Sequence, residues 1–122
     1  LTPDFLGTKF EPLDGDAEVV PGVRVIRTPG HTPGHQSVIV ETAGGRYCVA
    51  GDAVMWHENY ERRIPPGYHV STLQCMESIS RIQREADHVL PGHEPKLFDR
   101  RPARFPPGPS RAGHPPGDPG GR

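Results

Sequence analysis

The sequence predicts an α/β fold: mainly antiparallel strands, one amphipathic helix and an unfolded tail. Three observations carry this. Short β-branched runs are punctuated by Pro-Gly and Gly-Gly turns, one segment repeats its apolar residues at helical spacing, and after Arg100 the composition shifts abruptly to Pro, Gly and Arg.

The elements follow in order. Leu1 to Glu18, with Pro3, Gly7, Pro12, Gly15 and scattered acids, is expected to be an irregular linker. Val19-Val20-Pro21-Gly22-Val23 reads as strand, tight turn and strand, because Pro-Gly sets the turn and β-formers Val23, Val25 and Thr28 follow. Gln36 to Thr42 alternates and is rich in Val and Ile, giving a further strand, and Ala43-Gly44-Gly45 turns the chain into another from Arg46 to Ala50. From Met55 to Val70 periodicity disappears, and Trp56, Tyr60 and Pro65-Pro66 predict a long loop over a cleft. Ser71-Thr72-Leu73-Gln74 has the form of a capping box. Leu73, Met76, Ile79, Ile82 and Ala86 then form one apolar helical stripe, and Arg81, Gln83, Arg84 and Glu85 form its wet face. Val89-Leu90 is a last short strand.

Residues 1–100 therefore make one folded unit and residues 101–122 a tail. More than half of the tail is Pro or Gly and its one large apolar residue is Phe105, so too little surface can be buried to offset the entropy of ordering it. A non-functional extension from a shifted reading frame accounts for such a segment better than a Pro-rich docking tail, since its Pro-x-x-P strings, Pro106 to Pro109 and Pro116 to Pro119, lack the context of a defined ligand. The apolar share of the whole chain is only 33%, against 15 Gly and 16 Pro, so the independent fold is expected to be marginal.

A net charge of −1 with no basic stripe argues against a nucleic-acid or membrane-surface partner. No apolar run approaches a membrane span and no signal peptide is visible, so the expected localisation is cytoplasmic. Cys48 and Cys75 make neither a disulfide framework nor a Cys-x-x-Cys motif and read as small buried thiols.

One pattern occurs three times. A strand-like run stops at a Gly-containing turn and a metal-ligand residue follows: Pro29-Gly30-His31, Gly51-Asp52 and Pro91-Gly92-His93. Residues just past strand ends sit on the loop rim of a sheet and face a shared cleft. Two imidazoles and a carboxylate arriving there suggest a metal site, with donors that suit zinc or another borderline first-row ion.

The run Thr28-Pro29-Gly30-His31-Thr32-Pro33-Gly34-His35, with Gly51-Asp52-Ala53 and Pro91-Gly92-His93 after it, resembles the second half of the metallo-β-lactamase-fold hydrolases. Gly51-Asp52-Ala53-Val54, Glu58-Asn59 and Pro65-Pro66-Gly67 resemble the N-acyl-homoserine lactonase branch. The likeness covers roughly the first hundred residues. It implies the αββα sandwich of that family, here only its C-terminal half. It also implies that His31 ligates one metal, His93 a second, and that Asp52, the catalytic carboxylate, bridges both. Zinc is the implied metal, two ions in the full-length parent, with other divalent metals as alternatives.

The family's His-x-His-x-Asp-His motif is absent and the chain opens at Leu1, so it is expected to be an inactive fragment needing a missing N-terminal half. The implied parent opens a lactone ring, since hydrolysis at neutral pH needs hydroxide and a metal supplies it by lowering the pKa of bound water toward 7. A small-molecule lactone or ester is the expected substrate. The alternatives are a glyoxalase-II-like thioester hydrolase, which uses the same trio, and a non-catalytic half-domain. The long loop with Pro65-Pro66-Gly67 favours the lactonase.

His35 repeats the Pro-Gly-His wording but opens the next strand, and is expected to stand behind the ligands and steady them. His57, His69, His88 and His114 lack comparable context. Lactonases of this branch carry a Tyr three residues after the bridging Asp, where Met55 stands here; a thioether donates no hydrogen bond. Tyr60 or Tyr68 would then have to replace it, or the metal alone polarises the carbonyl, or the substrate differs. Met55 and Trp56 instead offer an apolar wall suited to an acyl chain.

Overall fold

A computed structural model describes residues 7–97 and Asp99. The start of the expected linker, the tail at 101–122 and His114 lie outside these residues. Five strands form one sheet in the order β1-β2-β3-β4-β5, namely β1 (Ala17–Val20), β2 (Val23–Arg27), β3 (Gln36–Thr42), β4 (Gly45–Gly51) and β5 (His88–Pro91). Neighbours β1 to β4 are antiparallel, whereas β5 lies parallel to β4. A parallel return needs a long crossover. The chain supplies it with α1 (His57–Glu61) and α2 (Thr72–Glu85).

Two expectations change here. The strand before Pro21 starts at Ala17, inside the expected linker, because its residues pair with β2 as far as Val25. The expected structureless loop after Met55 contains α1 and is pinned by Asn59. Its Oδ1 accepts from the Trp56 amide at 2.8 Å and its Nδ2 donates to the carbonyls of Ile64 and Pro65, each at 3.3 Å.

Register assigns the faces of the sheet. Ile26 lies opposite Ser37, Ile39 opposite Cys48, and Cys48 opposite Val89, so these side chains share one face. With Ala50, Ala53, Val54 and Tyr60 they pack against Ile79, Ile82 and Ala86 as a single core. Helix α2 buries Cys75, Ser78, Ile79 and Ile82. The stripe is thus rotated from the expected one: Leu73 is 69% exposed, and the small residues Cys75 and Ser78 face inward because a backbone loop lies against them. Ser71 caps α2, its hydroxyl accepting from the Gln74 amide at 3.3 Å. The opposite sheet face carries two cross-strand apolar rows, Val23, Val40 and Tyr47 in one and Val25, Val38, Val49 and Leu90 in the other.

Arg81 and Glu85, read as solvated, are part-buried members of an ion network. Arg81 donates to Glu85 at 2.9 Å, to the Arg27 carbonyl at 3.1 Å and to both oxygens of Asp16. Arg24 donates to the other Glu85 oxygen at 2.9 Å, so α2, β2 and the approach to β1 are clasped together. The Arg81 hydrogen bond, aided by the Arg27 amide, holds the Asp16 carboxyl below its usual value of 3.8. Burial raises the Glu85 carboxyl, but its bonds to Arg81 and Arg24 outweigh that and bring it below 4.5. Burial pushes the Cys48 thiol up to about 12, which fits an inert packed thiol.

Ile79→Ala is expected to cost about 2–5 kcal/mol in urea unfolding, as fully buried Ile truncations do, whereas the exposed Leu73→Ala should stay within about 0.5 kcal/mol. A folded carboxyl pKa below the unfolded one adds stability above the unfolded value that is lost as pH falls. Unfolding midpoints should therefore drop as pH falls below 3.8 for Asp16, and Arg81→Gln should flatten that part of the profile.

Candidate metal centre

His31 rides on the loop between β2 and β3. The loop closes on itself through the Thr28 amide to the His35 carbonyl at 3.0 Å and the Gly30 amide to the Thr32 carbonyl at 3.1 Å. Gly30 has φ +137°, and a Cβ there would lie 2.5 Å from the Cys75 amide nitrogen, so the loop backbone touches the first turn of α2 directly. The Gly30 carbonyl accepts from the amides of Val70 and Ser71 at 2.7 and 3.1 Å, and the Ser78 hydroxyl donates to the Pro29 carbonyl at 2.6 Å. No side chain fits between loop and helix.

Asp52 follows β4 through Gly51, whose φ is +53°. Gly92 is packed against that turn, since a Cβ on it would lie 2.6 Å from the Gly51 carbonyl oxygen. The amides of Gly92 and His93 donate to the carbonyls of Val54 and Met55, both at 2.9 Å. Glu94, which no motif marks, accepts from the His57 amide at 3.0 Å and so ties this loop to the start of α1. The Asp52 turn and the His93 loop are thereby locked side by side.

The three side chains meet at the rim. His31 Nε2 is 3.3 Å from Asp52 Oδ2, and His93 Nε2 is 2.7 Å from Asp52 Oδ1. Each carboxylate oxygen thus faces a different imidazole. His31 Nδ1 lies 2.6 Å from the Tyr68 carbonyl oxygen, which only accepts, so Nδ1 carries the proton. In the neutral ring Nε2 then turns a lone pair toward a carboxylate oxygen. Two electron-rich atoms facing each other at that distance are a donor pair that a metal ion can bind.

Among the described residues no three His, Cys, Asp or Glu donors converge on a single point fit for one ion. The geometry accounts for this, because the trio forms two donor pairs that share one carboxylate. Nitrogen and oxygen donors of this kind fit zinc, and the His31 bond to Tyr68 supplies the tautomer-fixing partner that metal-ligating imidazoles use. The site opens to solvent, with side-chain exposures of 21% for His31, 35% for Asp52 and 54% for His93.

The metallo-beta-lactamase superfamily model matches residues 2–93. The chain belongs to that superfamily. It is 40% identical over 90 residues to an N-acyl homoserine lactonase of a Bacillus species, which covers 70% of this chain and 36% of that protein. A probable metallo-hydrolase of Methanocaldococcus jannaschii is 38% identical over 79 residues, covering 65% of this chain and 37% of its own length. Among solved structures, an N-acyl homoserine lactone hydrolase with the product N-hexanoyl-L-homoserine at its catalytic metal centre superposes with a TM-score of 0.63. That structure is 33% identical and covers 76% of this chain and 40% of its own. The chain spans little more than a third of the length of the lactonase it matches.

Trp56 is 43% exposed, its ring centroid 6.2 Å from that of His93, and Met55 touches the trio through its carbonyl to the His93 amide. His35 sits behind Asp52, accepting from its amide at 3.0 Å. Burial pushes the His35 imidazole below its usual 6.5, against the opposing pull of the Asp52 charge. Tyr60 is in the core, where burial raises its hydroxyl to about 12, and Tyr68 is 83% exposed and serves His31 through its backbone. His69 is spent between the Pro66 carbonyl and Thr72, and His88 stacks on Tyr47 with centroids 4.5 Å apart. Sequence reasoning left Thr28 and Ser37 without roles, although Thr28 opens the most recognisable motif in the chain.

Gly92→Ala must push the His93 loop off the Gly51 carbonyl. About 1–3 kcal/mol of destabilisation is expected from such overpacking, with a shift of the His93 imidazole resonances. Gly34→Ala, where a Cβ meets nothing within 4 Å, should leave both readouts unchanged.

Proposed function

We propose that the chain supplies His31, Asp52 and His93 to a two-metal site in a metal-dependent hydrolase that opens the ring of N-acyl homoserine lactones. The observation that carries this reading is the single carboxylate whose two oxygens face two different imidazoles. His31 and Asp52 would hold one metal, and His93 and Asp52 the other. Each pair would leave a four-coordinate ion short of ligands, so donors besides this trio would be needed for activity. Bound zinc, or a related divalent ion, supplies Lewis acidity and acidifies water, which lets water add across the ring ester near neutral pH.

This chain's own residues do the rest. Tyr68 fixes the His31 tautomer so that Nε2 stays a donor to metal, and the Gly51 turn sets where the Asp52 carboxylate points. Exposed Trp56 beside His93 forms the apolar wall for the acyl chain, with Met55 next to it. The likeness to several N-acyl homoserine lactonases supports a lactone rather than a thioester as substrate.

Zinc titration of the chain by calorimetry tests the ligand set. Asp52→Asn is expected to weaken uptake more than the roughly 10–100-fold that follows loss of an outer partner, because it removes one donor oxygen and the negative charge that both ions share. His31→Ala and His93→Ala should each abolish one of two binding steps. Lactone opening is expected only when the chain is joined by protein carrying the remaining ligands. If that assembly binds no metal, or binds it and opens no lactone, the reading fails.

A further inference from the structure

Behind the trio lies a set of hydrogen bonds with only one consistent direction. The Asp52 amide donates to His35 Nε2 at 3.0 Å; His35 Nδ1 is 2.9 Å from the Thr28 hydroxyl; that hydroxyl is 2.7 Å from the Ser37 hydroxyl, which donates to the Ala50 carbonyl at 3.1 Å. An amide can only donate and a carbonyl can only accept, so the two ends decide everything between them. His35 Nε2 must carry the lone pair and Nδ1 the proton. Thr28 then accepts from His35 and donates to Ser37, and Ser37 spends its one proton on Ala50.

The two ends are the residues on either side of Gly51. The chain thus grips both flanks of the one turn that presents Asp52, from the buried side, using Thr28 and Ser37 at 0% and 1% exposure. His35 Nε2 would also lie 3.1 Å from a Cβ at Gly51, so the ring rests on the turn as well as bonding past it. We propose that His35 is a positioning residue for Asp52, held in one tautomer by Thr28 and Ser37, and that this relay sets how tightly the rim takes up metal. The effect on metal rests on the ligand reading above; the tautomer does not.

Long-range proton–nitrogen NMR of the imidazoles, with zinc titration of the same samples, tests both parts. His35 is expected as the Nδ1–H form at neutral pH. Thr28→Val keeps the shape and removes the hydroxyl. It should release the tautomer and weaken zinc uptake about 10–100-fold, the range for partners behind metal ligands. Thr28→Ser, which restores the hydroxyl, should bring both readouts back, a rescue that a merely packing role would not give. A His35 ring protonated on Nε2 overturns the relay. Thr28→Val that takes up zinc as tightly as the unsubstituted chain overturns the effect on metal. Should the unsubstituted chain take up no zinc while His35 is the Nδ1–H form, the ligand reading and the metal effect are overturned and the relay stands. Should Thr28→Val fail to fold, Ser37→Ala, which removes the last donor only, is read in the same two ways.

Discussion

A carboxylate can be shared by two imidazoles only if the strands delivering all three end at the same level. The register of the sheet meets that condition. Val38 pairs with Val49 and Val49 with Leu90, so the chain leaves β4 and β5 at one height, and the loop entering β3 stands at the same edge. Shifting any of these pairings by one residue would turn the ligand-bearing ends to the wrong face, because side-chain direction alternates residue by residue. The core residues on the buried face are what prevent such a slip. The chemistry at the rim is therefore anchored by apolar packing further back along each strand, at Ile26, Cys48, Ala50 and Val89.

Strand register alone would leave three independent loops. Here each is fastened to something stiffer: the His31 loop to the first turn of α2, the Asp52 turn to the buried relay, and the His93 loop to the carbonyls of Val54 and Met55. Charge plays a smaller part. The Arg81 network gathers α2 and β2 on a partly wet flank, where ion pairs contribute modestly because solvent screens them.

Much of this was legible in the chain because it is local. The Gln36 to Thr42 strand, the turn after it and the cap at Ser71 follow from alternation, Gly-Gly and a hydroxyl before a helical stripe, each a short-range signal. The recurring turns after strand ends brought out His31, Asp52 and His93, which the fold draws together. What the sequence did not show depends on contacts distant along the chain. Leu73 matched the apolar period but lies beyond the covered face, and Cys75 and Ser78 face inward only because the His31 loop approaches there. The pairing of β1 reaches back into residues that read as linker. Thr28 and Ser37 gain their meaning from Ala50 and Asp52, which no spacing rule connects to them.

Glycine in a loop is ordinarily taken as a source of freedom, yet Gly30 and Gly92 act here as contact surfaces. Each lets one main chain lie directly on another with no side chain to cushion the approach. Movement of His31 is thereby geared to the start of α2, and movement of His93 to the turn that carries Asp52. The rim is thus built into the packing of the fold, and the front of the helix shares a contact surface with the loop that carries His31.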